Sequence, residues 1–128
     1  MSTPNVLNID ETTYGVYTST LLDDASAAIT LASIDSITMT LIEFSTEVVV
    51  NSREAQDILN ANNCTMHATS GLFTWEIQPA DTAIVVSGAS LSSREVHLAT
   101  ITVVWNTTKK MHREIKLRIK NLTSVPQS

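Results

Sequence analysis

The chain is poor in the residues that cross-link, bend or charge a fold. It has one cysteine, Cys64, in 128 residues. That excludes an intrachain disulfide, leaves the redox compartment open and best fits a reducing site of synthesis. Its three glycines, Gly15, Gly71 and Gly88, are not spaced to cradle a phosphate, and neither a GxSxG nor an HExxH pattern occurs. No apolar run approaches the ~20 residues of a membrane-spanning helix. The start, Met1-Ser2-Thr3-Pro4-Asn5, has neither the basic nor the apolar region of a leader, so synthesis without export is expected. On that expectation the glycosylation sequons at Asn63, Asn106 and Asn121 read as chance. Charged side chains make up 16% of the chain, low for an ordinary surface and in keeping with one that is partly covered in an assembly.

Hydrophobic residues make up 43%, ample for one domain with its own core. Much of this content alternates. From His112 to Leu122, Ile115, Leu117 and Ile119 point one way while Glu114, Lys116, Arg118 and Lys120 point the other. That is the period of a half-buried strand. From about Arg94 to Trp105 both faces are largely apolar or threonine, which predicts a central strand or one covered on both sides. Asn106 to Lys110 reads as the hairpin loop between these two strands. Ile37, Met39 and Leu41 alternate, but Ile42 and Phe44 fall on the other parity, which predicts a bulge or bend near Glu43. Val48-Val49-Val50 reads as the return of a hairpin. Phe73, Trp75 and Ile77 share a face, and Tyr14–Leu22 and Ala27–Leu31 are weaker strands.

Ser52 is a plausible N-cap, so a short helix is predicted near residues 52–60. Pro79 opens a helical turn over 79–83. Residues 1–13 read as an extended arm, 14–125 as a single domain and 126–128 as a tail, with a polar loop over 87–93. Seven or eight short strands with turn signals about every ten residues predict an all-β, antiparallel sandwich. Phe44, Phe73, Trp75 and Trp105 are expected in its core.

The net charge of −5 is unevenly placed. Residues 1–108 carry two basic and twelve acidic side chains, a balance of −10, and residues 109–128 carry six basic and one acidic, a balance of +5. Such a polarity can orient one subunit against another. Chemistry is harder to find. Cys64 and His67 are three apart, which puts them on opposite faces of a strand, and a His97–His112 pair across the hairpin lacks a third ligand. No metal, cofactor or catalytic residue is therefore expected. Asp10-Glu11 and Asp23-Asp24 sit in arm or turn composition. The Lys116, Arg118 and Lys120 face lacks the interleaved aromatics of a nucleic-acid platform, and the chain is acidic, so neither nucleic acid nor membrane is an expected partner.

Several segments together resemble small Ig-like structural proteins of tailed bacteriophages. They are Ser36-Ile37-Thr38-Met39-Thr40-Leu41, followed by residues 51–60. Next comes Ser70-Gly71-Leu72-Phe73-Thr74-Trp75-Glu76-Ile77-Gln78-Pro79-Ala80-Asp81. The last are Glu95-Val96-His97-Leu98-Ala99, Trp105 and Arg118-Ile119-Lys120-Asn121-Leu122. They are similar to capsid decoration proteins and to the N-terminal Ig-like domain of baseplate upper proteins. The resemblance implies an Ig-like sandwich without an active site. It would dock on the major capsid protein or another virion protein, as a homo-oligomer such as a trimer. Its expected place is the virion, after synthesis in the host cytoplasm. Because the chain ends soon after the last strand, decoration is expected ahead of a tail, head–tail or baseplate role. A carbohydrate- or receptor-binding module is the other reading. Candidate contact residues are Thr3, Pro4 and Asn5 of the arm and Lys116, Arg118 and Lys120 of the basic strand.

Overall fold

The computed structural model describes residues 5–10, 12–83 and 94–120. Among the described residues eight strands run in chain order: β1 (Asn5–Asp10), β2 (Gly15–Thr20), β3 (Ile34–Glu43), β4 (Gln56–Asp57), β5 (Cys64–Met66), β6 (Leu72–Ile77), β7 (Arg94–Trp105) and β8 (Lys109–Lys120). They form a five-stranded sheet, β1-β8-β7-β3-β4, and a three-stranded sheet, β2-β6-β5. Lettering β1, β2 and β3 as A, B and C, β4 as C′, and β5 to β8 as D to G, the sheets read AGFCC′ and BED. That is the connectivity of an immunoglobulin-like sandwich with a C′ strand beside C. All pairings are antiparallel except β1 with β8, which is parallel.

The core follows from the pleat. Ile37, Met39 and Leu41 of β3, Ala99, Ile101 and Val103 of β7, and Ile115, Leu117 and Ile119 of β8 are buried. Tyr17, Cys64, Met66, Phe73, Trp75 and Ile77 of the smaller sheet are buried in the same cluster. Each Ile, Leu, Val, Met or Phe among them contributes about 1.5–3 kcal/mol when fully buried. β7 lies third of five strands, central as its double apolar pattern predicts, with its inner face buried and its outer residues Val96, Leu98, Thr100, Thr102 and Val104 half-buried.

Four expectations change or sharpen. First, no helix forms over 52–60. Asn51, Ser52, Ala55 and Asn60 take positive φ there, and Arg53 turns its side chain into the interior. A helix would turn that guanidinium away from the acceptors described below, and the segment forms only the two-residue β4. Second, β3 has no bulge near Glu43. Its register with β7 runs unbroken from Ser36 to Glu43, and the irregularity lies between Ile34 and Ser36. The parity slip arises because Glu43 points inward and Ile42 outward.

Third, Phe44 is not core: it is 51% exposed. Fourth, residues 5–10 of the expected arm are an edge strand of the larger sheet, Asn5 opposite Ile115 through Asp10 opposite Lys120. Pro79 opens a 3-10 turn over Pro79–Asp81 as expected. The 87–93 loop, the 126–128 tail, Thr3 and Pro4 lie outside the described residues.

Candidate functional site

Strand pairing builds the outer face of the larger sheet row by row. Val6 of β1 lies opposite Lys116 of β8, Lys116 opposite Leu98 of β7, and Leu98 opposite Ile42 of β3. In the next row Asn8 lies opposite Arg118, and Arg118 opposite Val96. The Phe44 N–H donates to the Val96 carbonyl at 2.8 Å, which carries the ring to the end of that row. Toward the other end of β8 the face turns polar, through Glu114, Thr100 and Thr40, then His112, Thr102, Thr38 and Asp57.

The result is an apolar strip edged with positive charge. Val6 and Phe44 are each about half exposed, and Val49 bridges Ile42 at the far end of the first row. The Lys116 ammonium sits 5.0 Å from the centroid of the Phe44 ring, a cation–π distance. Its stem lies along the strip while its charge stays near water. Arg118 is exposed one row on.

Parallel pairing of β1 with β8 brings Asn5, far away in sequence, onto the strand beside the one that carries Lys116, Arg118 and Lys120. Asn5 pairs with Ile115 through its backbone, and Lys120 pairs with Asp10 and Arg94. The side chains of Asn5 and Lys120 are not among those described. Sequence reasoning missed Phe44. The signal was the parity slip itself, which puts two hydrophobic residues, Ile42 and Phe44, on the side of a strand that otherwise carries threonine.

A second polar cluster lies inside the sandwich. Asp81 accepts from Arg53 Nε (2.6 Å), Arg53 Nη2 (3.2 Å), Asn51 Nδ2 (2.8 Å) and the Gln78 N–H (2.9 Å). Arg53 Nη1 donates to Gln56 Oε1 and the Asn62 carbonyl. The Asp81 carbonyl meets His97 Nδ1 at 2.8 Å. A carbonyl only accepts, so the proton is on Nδ1. The other ring nitrogen bonds Glu95. Asp81 and His97 are fully buried, and Arg53 nearly so. The cluster ties the loop before β4, the turn after β6 and the start of β7 together. It offers no exposed reactive atom.

Other expected absences and pairs can be placed. Burial pushes the Cys64 thiol up to about 12, far from a reactive thiolate. His67 is exposed while Cys64 is buried, and His97 points inward while His112 bonds Thr102 on the outer face. Among the described residues no group of three or more His, Cys, Asp or Glu could hold a metal. Asp23 accepts from two N–H groups of its own turn, and Asp24 pairs with Lys109 at 2.9 Å. The hydrogen bond and charge of Lys109 hold the Asp24 carboxyl below its usual range. At Glu43, burial works to raise the carboxyl, but hydrogen bonds from Ser45 and Thr46 outweigh it and keep it low. Between β1 and β2 a cleft of about 240 Å³ is lined by Leu7, Ile9, Tyr14, Val16 and Ile77 among others. No helix of the described residues is long and apolar enough to cross a membrane.

No protein-family model matches the chain, and no curated protein matches it. Among solved structures, the chain is similar to the N-terminal Ig1-2 module of the Drosophila receptor protein tyrosine phosphatase DLAR. Identity is 9% and the TM-score 0.41, over 94% of this chain and 47% of that one. The chain thus spans about half the length of that module. The assignment to an immunoglobulin-like sandwich rests on strand order rather than on this likeness.

Proposed function

We propose that this chain is a non-enzymatic interaction subunit that docks on other proteins through the β1–β8–β7 face. Its proposed setting is the virion of a tailed bacteriophage, where it decorates or cements the capsid. The observation that carries the docking reading is the strip of half-exposed Val6 and Phe44, with Ile42 and Leu98 between them, beside Lys116 and Arg118. Apolar residues grouped with an aromatic and flanked by basic side chains are the composition of a protein contact. The partner it fits presents an apolar recess for Phe44 with acidic groups around it. The buried Arg53–Asp81 cluster supports the same reading, because it stiffens the sandwich without opening to substrate. The phage setting draws on the resemblance of the segments around Trp75, Trp105 and Arg118.

Because β1 belongs to the sheet, point variants test the contact more cleanly than removal of the first residues. The experiment is to detect the chain in purified particles and locate it by imaging. Copies spread over the capsid at its symmetry axes support decoration. A ring at the tail supports the tail or baseplate alternative, and absence from the particle sinks the virion reading. A host-surface role is the second reading, favoured by Tyr14, which is 74% exposed at the rim of the β1–β2 cleft. Binding of the isolated chain to host cells, lost in Tyr14→Ala, would support it.

A further inference from the structure

The two sheets have four outer edges among the described residues, formed by β1, β4, β2 and β5. Open edges invite pairing with another chain, and natural proteins blunt them by shortness, charge or proline. β4 has two residues and β5 has three. β1 follows Pro4 in the sequence and ends in Asp10. β2 has none of these devices. It is six residues long, and the stretch from Thr12 to Leu22 holds no charge and no proline.

The backbone of β2 is poised for pairing. The Leu21 N–H donates to the Gly71 carbonyl at 2.7 Å, in register with the β2–β6 ladder. In an antiparallel ladder, backbone groups of alternate residues face alternate sides. The odd residues of β2 therefore turn their N–H and C=O groups toward β6, and Val16, Thr18 and Thr20 turn theirs to the open edge. The same stretch carries a cluster of exposed apolar side chains: Tyr14, Val16 and Leu22, with Leu72 paired to Thr20.

We infer that β2 is a homodimer edge, pairing antiparallel with β2 of a second copy across a two-fold axis at Thr18. The strand is its own complement in this register. Thr18 faces Thr18, Val16 faces Thr20, and Tyr14 faces Leu22. The exposed apolar residues at one end of the stretch meet those at the other end. Each edge-facing residue exchanges both hydrogen bonds with its counterpart, and no charge opposes itself. Centring the axis on Tyr17 instead would face Tyr14 with Thr20 and leave Leu22 unmatched. The product is a continuous six-stranded sheet, β5-β6-β2-β2-β6-β5, closed by symmetry at two copies. The docking face of the larger sheet stays free, so each dimer offers it twice.

Sedimentation equilibrium of the full chain tests this. The expected mass is twice the 13.9 kDa of one chain. Thr18 is exposed, so Thr18→Lys and Thr18→Glu should keep the wild-type circular dichroism spectrum. Each sets like charges opposite each other at the axis and should halve the mass. Mixing the two variants in equal amounts should restore the doubled mass. Thr65→Lys, on the exposed face of β5, should leave the dimer intact. As a check on register, Thr18→Cys should form an intermolecular disulfide on mild oxidation, because paired Cα atoms there lie about 5.5 Å apart. A monomeric wild type, a trimeric mass, a Thr18→Lys variant that keeps the doubled mass, or failure of Thr18→Cys to cross-link would overturn the inference.

Discussion

Replacing Asp81 with asparagine should be the most damaging isosteric change in this molecule. The side chain keeps its shape but loses its charge and turns one acceptor oxygen into a donor. Four donors converge on the two carboxylate oxygens: Arg53 Nε and Nη2, Asn51 Nδ2 and the Gln78 N–H. With asparagine, an NH2 group faces at least one of them. Arg53, only 1% exposed, is left as a buried cation without a counter-charge, held by neutral acceptors such as Gln56 Oε1 and the Asn62 carbonyl and by the Trp75 ring 5.9 Å away. Breaking a buried pair in this way costs about 3–5 kcal/mol, a large share of the ~5–15 kcal/mol that holds a domain together. Urea unfolding reads the loss directly. With a slope of about 2 kcal/mol per molar urea, the midpoint should fall by about 2 M. The double variant Arg53→Met/Asp81→Leu removes both charges and should be less destabilised than the sum of its single changes. A midpoint shift below about 0.5 M for Asp81→Asn would refute the reasoning, because it would mean that water solvates the carboxylate in the folded chain.

Gly71 takes φ +77, and a Cβ there would lie 2.7 Å from the Leu21 carbonyl oxygen. Gly71→Ala should therefore lower stability by about 2 kcal/mol or more, read as a drop in melting temperature. The Glu43 carboxyl titrates below its ordinary 4.5 when folded. Its contribution is complete above the unfolded value and is lost as pH falls from 4.5 through the folded value. The gap in urea midpoint between wild type and Glu43→Gln should be widest at neutral pH and close on acidification. A gap that widens in acid would contradict the sign. Cys64, buried and with its thiol raised to about 12, should resist a disulfide reagent at pH 8 in the folded chain and react at once in urea.

Strand pattern was legible where burial and polarity agree along the chain. β8 announces itself through Ile115, Leu117 and Ile119, because its outer residues are charged. β7 reads as central because both its faces are largely apolar or threonine, and it lies between β8 and β3. The pattern misled where a polar residue points inward. Glu43 is buried because Ser45 and Thr46 supply its hydrogen bonds from the following turn, which a count of hydrophobic residues does not see. Arg53 misled in the same way: its partner Asp81 lies 28 residues on, and a local helix signal at Ser52 was outweighed by that distant carboxylate. The candidate contact residues were half legible. The basic strand is visible in composition, but its pairing with β1 is a matter of topology, and Phe44 joins it only through the turn after β3.

The central claim is that the Phe44–Lys116–Arg118 strip is a protein contact. In the proposed virion setting, the most direct test is occupancy of purified particles by the variants Phe44→Ser and Lys116→Glu/Arg118→Glu. Each must first be shown to keep the wild-type melting temperature. An aromatic anchor in a docked face typically contributes about 2 kcal/mol or more. The account therefore predicts at least a tenfold loss of affinity for particles in Phe44→Ser. The charge reversal should give a further loss that salt diminishes for the wild type. Folded variants that occupy particles as the wild type does would contradict it.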